Sequence, residues 1–176
     1  MSRVSMFRLA MTLAACLATS ASLADDFEIE LKVAAGKKPV QTKLTRLAVL
    51  RRKLGAEKKK QPPRLIVKAK AGQSVTVDWV ATNTGKTDTL ASLRVHFFVV
   101  KIDKVGQKKI PKLDKDVVHE GILLLDFKPK EKASGQFALS IRKPGSYLVR
   151  VETIGTLLLH GHEYYAAIDL VIDQED

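Results

Sequence analysis

The chain has 176 residues, with 30 Lys and Arg against 19 Asp and Glu, for a formal net charge of +11. That length is enough for one domain with a real core and too short to expect two. Its single cysteine, Cys16, excludes an intrachain disulfide and a metal site built from several thiolates.

The opening residues, MSRVSMFRLAMTLAACLATSASLA, place Arg3 and Arg8 ahead of an Ala-rich apolar run that ends in small residues before Asp25-Asp26. This is the order of a secretory signal peptide cut after Ala24. Leu13-Ala14-Ala15-Cys16 offers an alternative, a bacterial lipoprotein signal with Cys16 carrying the lipid. Either way the chain is expected to be exported, periplasmic or extracellular, with residues 25–176 forming a single domain. All three Met residues lie in this leader, which removes thioether ligands as well. No later apolar run approaches the roughly 20 residues of a membrane-spanning helix, so no transmembrane segment is expected.

From Asp26 to Val33, Phe27, Ile29, Leu31 and Val33 alternate with acids and Lys32, which predicts a first strand ended by Ala35-Gly36. A basic insertion over 37–63 follows. Residues 37–70 hold 13 Lys and Arg against one acid, Glu57, while the rest of the chain after Ala24 carries 15 basic and 18 acidic residues. Leu44, Leu47, Leu50 and Leu54 fall at helical spacing, with Thr42 placed to cap a helix and Gly55 to stop it. The same residues also suit a short edge strand followed by a basic loop.

Leu65–Ala69 predicts the next strand. Ser74–Asp103 then holds two strands that read as a central pair in the middle of an antiparallel sandwich. In the first, Val75, Val77, Trp79 and Ala81 share one face; in the second, Leu93, Val95, Phe97 and Val99 do. The other face of the second turns apolar at Phe98, Val100 and Ile102, as expected of a strand covered on both sides. Lys104–Lys115 reads as a polar loop. Ile122–Leu125 and Leu157–Leu159, the longest apolar runs, suit buried strands. Phe137, Leu139 and Ile141 mark a one-sided strand, and Lys143-Pro144-Gly145 a tight turn into Tyr147, Val149 and Val151. Thr156–His160 and Tyr164–Ile172 form a last pair, with Ala166, Ile168, Leu170 and Ile172 inward and Asp169 and Asp173 outward. Seven to eight short strands, turn signals between most of them and at most one helix predict an all-β antiparallel sandwich.

Two motifs carry a family resemblance. Val-Thr-Val-Asp-Trp-Val-Ala-Thr-Asn-Thr-Gly, residues 75–85, resembles the second-strand motif of bacterial Ig-like domains of the CARDB-like group. Lys143-Pro-Gly-Ser-Tyr-Leu-Val-Arg-Val151 resembles the lead-in to the penultimate strand of Ig-like and fibronectin type III-like sandwiches. The resemblance covers roughly residues 64–173 and implies structural roles for Trp79, Asn83, Gly85, Gly145 and Tyr147. The tyrosine packs its ring while its hydroxyl reaches nearby backbone. The fold it implies hosts many functions. The cysteine pair of antibody domains is absent, and Trp79 sits on the earlier of the two central strands.

Three kinds of site are open to the sequence. His160-Gly161-His162 puts two imidazoles on one side of an extended segment, where His96 or His119 would complete a copper or zinc site. Against it stands a surface turn that happens to carry two histidines. For catalysis the chain offers no nucleophile elbow, phosphate loop or zinc-protease motif. Glu120, Asp126 and Glu152 read as a solvated sheet face, and Ser134 and Ser140 lack a His partner by spacing. The domain is therefore expected to be non-catalytic and to carry no cofactor.

The strongest binding signal is the pair of cation clusters Arg51-Arg52-Lys53 and Lys58-Lys59-Lys60. Such clusters attract polyanions by Coulomb attraction and counterion release. For an exported chain with few aromatics nearby, nucleic acid is not the expected partner. An anionic lipid surface, an envelope polymer or an acidic envelope protein is. The competing reading is a solvated loop whose Lys serve solubility.

Overall fold

The computed structural model describes residues 27–36, 38–44, 63–84, 91–107, 109–155 and 164–174. Nine strands are present among them: β1 Phe27–Ala35, β2 Lys38–Leu44, β3 Ile66–Lys70, β4 Ser74–Asn83, β5 Ala91–Ile102, β6 Val117–Phe127, β7 Lys132–Ser140, β8 Gly145–Gly155 and β9 Tyr164–Asp173. They form two stacked sheets, ordered β2-β1-β4-β7 and β3-β9-β8-β5-β6. β1, β4 and β7 stand where strands A, B and E of an immunoglobulin-type sandwich do, and β5, β8 and β9 where C, F and G do. β6 extends the second sheet in the manner of C′, and β3 joins β9 in parallel at its other edge. Strand D has no counterpart among the described residues.

Period-two alternation explains the layering. Phe27, Ile29, Leu31 and Val33 on β1, and Val75, Val77, Trp79 and Ala81 on β4, are buried. They meet Val95, Val99, Val149, Val151, Ala166, Ile168 and Leu170 of the other sheet. Phe27 closes one end of this core with an edge-on contact to Phe127 at 5.4 Å and a tilted one to Tyr164 at 6.1 Å. The outer face of the four-stranded sheet is polar, with Lys32 3.8 Å from Asp78 and Gln136 donating to Asp78.

Four expectations change. The expected central pair, β4 and β5, lies in opposite sheets, so the two strands pack face to face, Trp79 stacking on Phe97 at 6.3 Å. Thr42 does not start a helix: it lies in β2, opposite Leu31, in a hairpin that turns through Gly36 (φ 80°). β2 is an edge strand, which is why it tolerates Pro39. Strand 147–151 runs on to Gly155, and it is this strand that pairs with β9, Thr153 opposite Tyr164. Thr156–His160 lies outside the described residues, as do the leader, residues 45–62 and Gly85. Ile122–Leu125 is not a buried run, because β6 is the last strand of its sheet and Ile122, Leu123 and Leu124 are exposed.

The apolar outer face of β5 is covered. Phe98, Val100 and Ile102 form a second cluster with Leu148 and Ala167, and Ile110, Leu113, Val117 and Tyr165 pack on it. The stretch expected to be a polar loop thus lays two apolar side chains, Ile110 and Leu113, across the sheet. Its anchor is Asp169, fully buried, which accepts from Arg64 Nε at 2.7 Å and from the Gly106 amide at 2.7 Å. Arg64 also donates to the Gln107 carbonyl at 2.8 Å, tying the loop to the start of β3.

Candidate functional site

The basic segment is bracketed by β2, ending at Leu44, and β3, starting at Ile66. Both are edge strands, and they lie at the same lateral edge of the sandwich, where β2 packs over β9 and β1 over β3 and β9. The two ends of the segment are therefore held on one flank. That flank adds cations of its own: Lys68 and Lys70 alternate outward along β3 with buried Val67 and Ala69. Arg64 is committed to Asp169. Arg51, Arg52, Lys53, Lys58, Lys59 and Lys60 themselves lie outside the described residues. In sequence they fall between the two strands.

The histidines separate. His160 and His162 lie outside the described residues. His96 and His119 project to opposite faces of the five-stranded sheet and do not converge on one ion. His119 points into the sandwich and stacks on Phe137 at 4.3 Å and Phe97 at 5.8 Å. His96 is buried on the outer face, its Nδ1 3.1 Å from Glu152 and its Nε2 2.9 Å from Glu120. Among the described residues no three His, Cys, Asp or Glu side chains are grouped to hold a metal ion.

Glu152 departs from the solvated face expected of it. It is buried, takes Arg150 Nε at 2.5 Å on its second oxygen, and Arg150 in turn lies 3.9 Å over the Tyr165 ring. Cross-strand register produces this row: His96 stands opposite Glu152, and Glu152 opposite Tyr165. Sequence reading missed the row because its members are scattered over β6, β5, β8 and β9, and only register brings them together. Ser140 donates to the Gly72 carbonyl at 2.7 Å, a turn contact and not a nucleophile poised beside a base.

Of the residues given structural roles by resemblance, Gly85 lies outside the described residues, and the other four are placed as follows. The Tyr147 hydroxyl donates to the Lys143 carbonyl at 2.7 Å, closing the corner into β8, and Gly145 takes φ 144° there. Burial, and secondarily the charge of Asp116, raises the Tyr147 phenol above its ordinary pKa of 10.0. Trp79 is buried against Gly135, where an added Cβ would stand 2.6 Å from the indole. Asn83 is buried at the end of β4, and its amide and carbonyl bond Glu131 and Lys130 of the turn before β7. An open cleft of about 410 Å³ beside Tyr147 is lined in part by Lys101, Asp116, Arg142 and Lys143, and it opens too widely to enclose a small ligand.

No protein-family model matches the chain, and no curated protein does. Among solved structures, the C-terminal domain of Wzt overlaps 83% of this chain and 72% of its own, at 8% identity and a TM-score of 0.44. The CARDB domain of a Pyrococcus furiosus protein, solved in complex with di-metal ions, overlaps 65% of this chain and 89% of its own, at 12% identity and TM-score 0.38. A β-glucosidase from Listeria innocua matches over 65% of this chain and 15% of its own, at 12% identity and TM-score 0.34. The fold assignment rests on this chain's own strand order.

Proposed function

We propose that the protein is an exported, non-catalytic Ig-like binding module of the bacterial cell envelope, whose basic flank recognises an anionic polymer, an anionic lipid surface or an acidic envelope protein. The observation that supports this reading is that the strands on either side of the basic segment lie at one edge of the sandwich. The segment's two ends are fixed to edge strands on one side of the sandwich, and Lys68 and Lys70 face solvent on the same side. The basic segment is thus joined at both ends to one flank, while the rest of the chain after Ala24 carries slightly more acid than base.

Such a surface binds through many weak, screened contacts and not through one pocket. Exposed ion pairs contribute about 0–1 kcal/mol each. Useful affinity therefore requires a ligand that presents many charges at once and releases counterions on binding. The test is retention on immobilised heparin and co-sedimentation with vesicles rich in phosphatidylglycerol. The variant neutralises Arg51, Arg52, Lys53, Lys58, Lys59 and Lys60 to Gln together. Retention should fall sharply with an unchanged thermal midpoint. Undiminished retention would refute the basic flank as the binding surface.

A further inference from the structure

Among the described residues, the flank opposite β2 and β3 ends in β6, whose outer row of backbone N–H and C=O groups faces away from β5. Natural edge strands are usually short, or carry Lys, Pro or a strongly twisting bulge that prevents pairing with another chain. β6 runs for 11 residues without a Lys or Pro. A register shift between Val99 and Val100 leaves Val118 as an extra residue at its beginning, so the stretch from His119 onward is regular. Along that stretch Leu124 is 72% exposed, Ile122 56% and Leu123 40%.

We propose that β6 pairs antiparallel with β6 of a second copy of this chain, about a two-fold axis at Leu124, joining the two five-stranded sheets into one continuous sheet. Charge selects both occupant and register. Across a two-fold axis, residues equidistant from it stand opposite one another and on the same face of the joined sheet. An axis at Leu123 would set Glu120 against Asp126 of the other copy, a like-charge pair that destabilises an antiparallel ladder. An axis at Ile122 would set Leu124 against Glu120.

An axis at Leu124 sets the most exposed large apolar side chain among the described residues on its own image and Leu123 against Leu125. It also brings Glu120 opposite Lys128 of the other copy, and this happens twice by symmetry. Lys128 is exposed directly after the strand, and the Glu120 side chain, 38% exposed, uses Oε1 for His96 and has Oε2 for Lys128. Of these three registers it is the one that pairs Glu120 with Lys128 and Leu124 with itself, and it also sets Ile122 against Asp126 of the other copy. Because β6 lies on the flank opposite β2 and β3, the pair carries those edges outward, one at each end. A polymer long enough to reach both would bind with avidity.

The experiment is sedimentation equilibrium on the chain from Asp25 onward, across micromolar to submillimolar concentration, with cysteine cross-linking to read the register. Wild type should be dimeric at the upper end. Leu124→Lys should be monomeric with an unchanged circular dichroism spectrum, since the site is exposed in a single copy. Lys128→Glu, which places two acids opposite each other, should raise the dimer dissociation constant about tenfold or more. In the chain from Asp25 onward no native cysteine remains, so under mild oxidation Leu124→Cys should give a covalent dimer. Ile122→Cys should not, because its two copies stand four residues apart along the strands. A wild-type monomer throughout, or cross-linking through position 122 and not 124, would overturn the proposal. Heparin retention of Leu124→Lys keeps the two ideas separate: a monomer that is still retained refutes self-pairing alone.

Discussion

Replacing Arg64 with Met isolates the buried ion pair that fastens the outer loop. Asp169 has no exposed surface, and the side chain of Arg64 is 22% exposed, so the charge left behind cannot be rehydrated without moving the loop. Removing one partner of a buried pair costs about 3–5 kcal/mol. Asp169 keeps its bond from the Gly106 amide, and Arg64 is not fully desolvated, which places the expected loss at the lower end, about 3 kcal/mol. For a domain of this size that lowers the thermal midpoint by roughly 6–12 °C.

The cycle is completed with Asp169→Asn and the double variant, followed by denaturant unfolding monitored at Trp79. The two sites touch, so their effects should fail to add by about 2 kcal/mol. Release of residues 103–107 should also uncover Phe98, Val100 and Leu148, raising binding of a hydrophobic dye before global unfolding. A loss below about 1 kcal/mol with additive single effects would mean that the pair is solvated and that the loop is held by Ile110 and Leu113 instead.

Two further predictions address the core and the corner. Gly135→Ala places a methyl 2.6 Å from the Trp79 ring and should cost about 1–3 kcal/mol in chemical denaturation, much of it recovered by adding Trp79→Phe. Tyr147→Phe removes one buried hydrogen bond and should cost about 1 kcal/mol at neutral pH. The raised pKa of Tyr147 comes from burial first and Asp116 second, so the unfolded chain deprotonates this phenol before the folded one does. Its contribution is fully present below the unfolded value of about 10 and is lost as pH rises toward the folded value. Wild type should therefore lose stability faster than Tyr147→Phe above that pH.

Much of the fold is legible because alternation is a local property. The inward sets of β1, β4 and β9 can be read directly, as can the Tyr147 corner, whose turn and ring lie within five residues of each other. Sheet membership is not local. Nothing in Ser74–Asp103 distinguishes a hairpin within one sheet from a crossing between two, and the stretch crosses. A helical leucine spacing starts at Leu44, with Thr42 placed to cap it, yet the two-residue turn after β1 favours the alternative of an edge strand, and 38–44 pair with β1. Ile122–Leu125 reads as core by hydropathy alone. Its exposure follows from being the last strand of its sheet, which depends on every other pairing. The row Glu120–His96–Glu152–Arg150 is illegible for the same reason, being assembled from strands up to 56 positions apart. The basic clusters were the reverse case, obvious in composition and given a location only by the two edge strands on either side of them.

The most direct measurement of the central claim is the affinity of the chain from Asp25 onward for a defined anionic polymer as a function of salt. Each neutralised charge on the polymer releases counterions, so the logarithm of the association constant should fall linearly with the logarithm of salt concentration. Wild type should show a steep slope, and the variant neutralised at Arg51, Arg52, Lys53, Lys58, Lys59 and Lys60 a much shallower one with weak binding at every salt. Equal slopes and equal affinities for the two proteins would contradict the account.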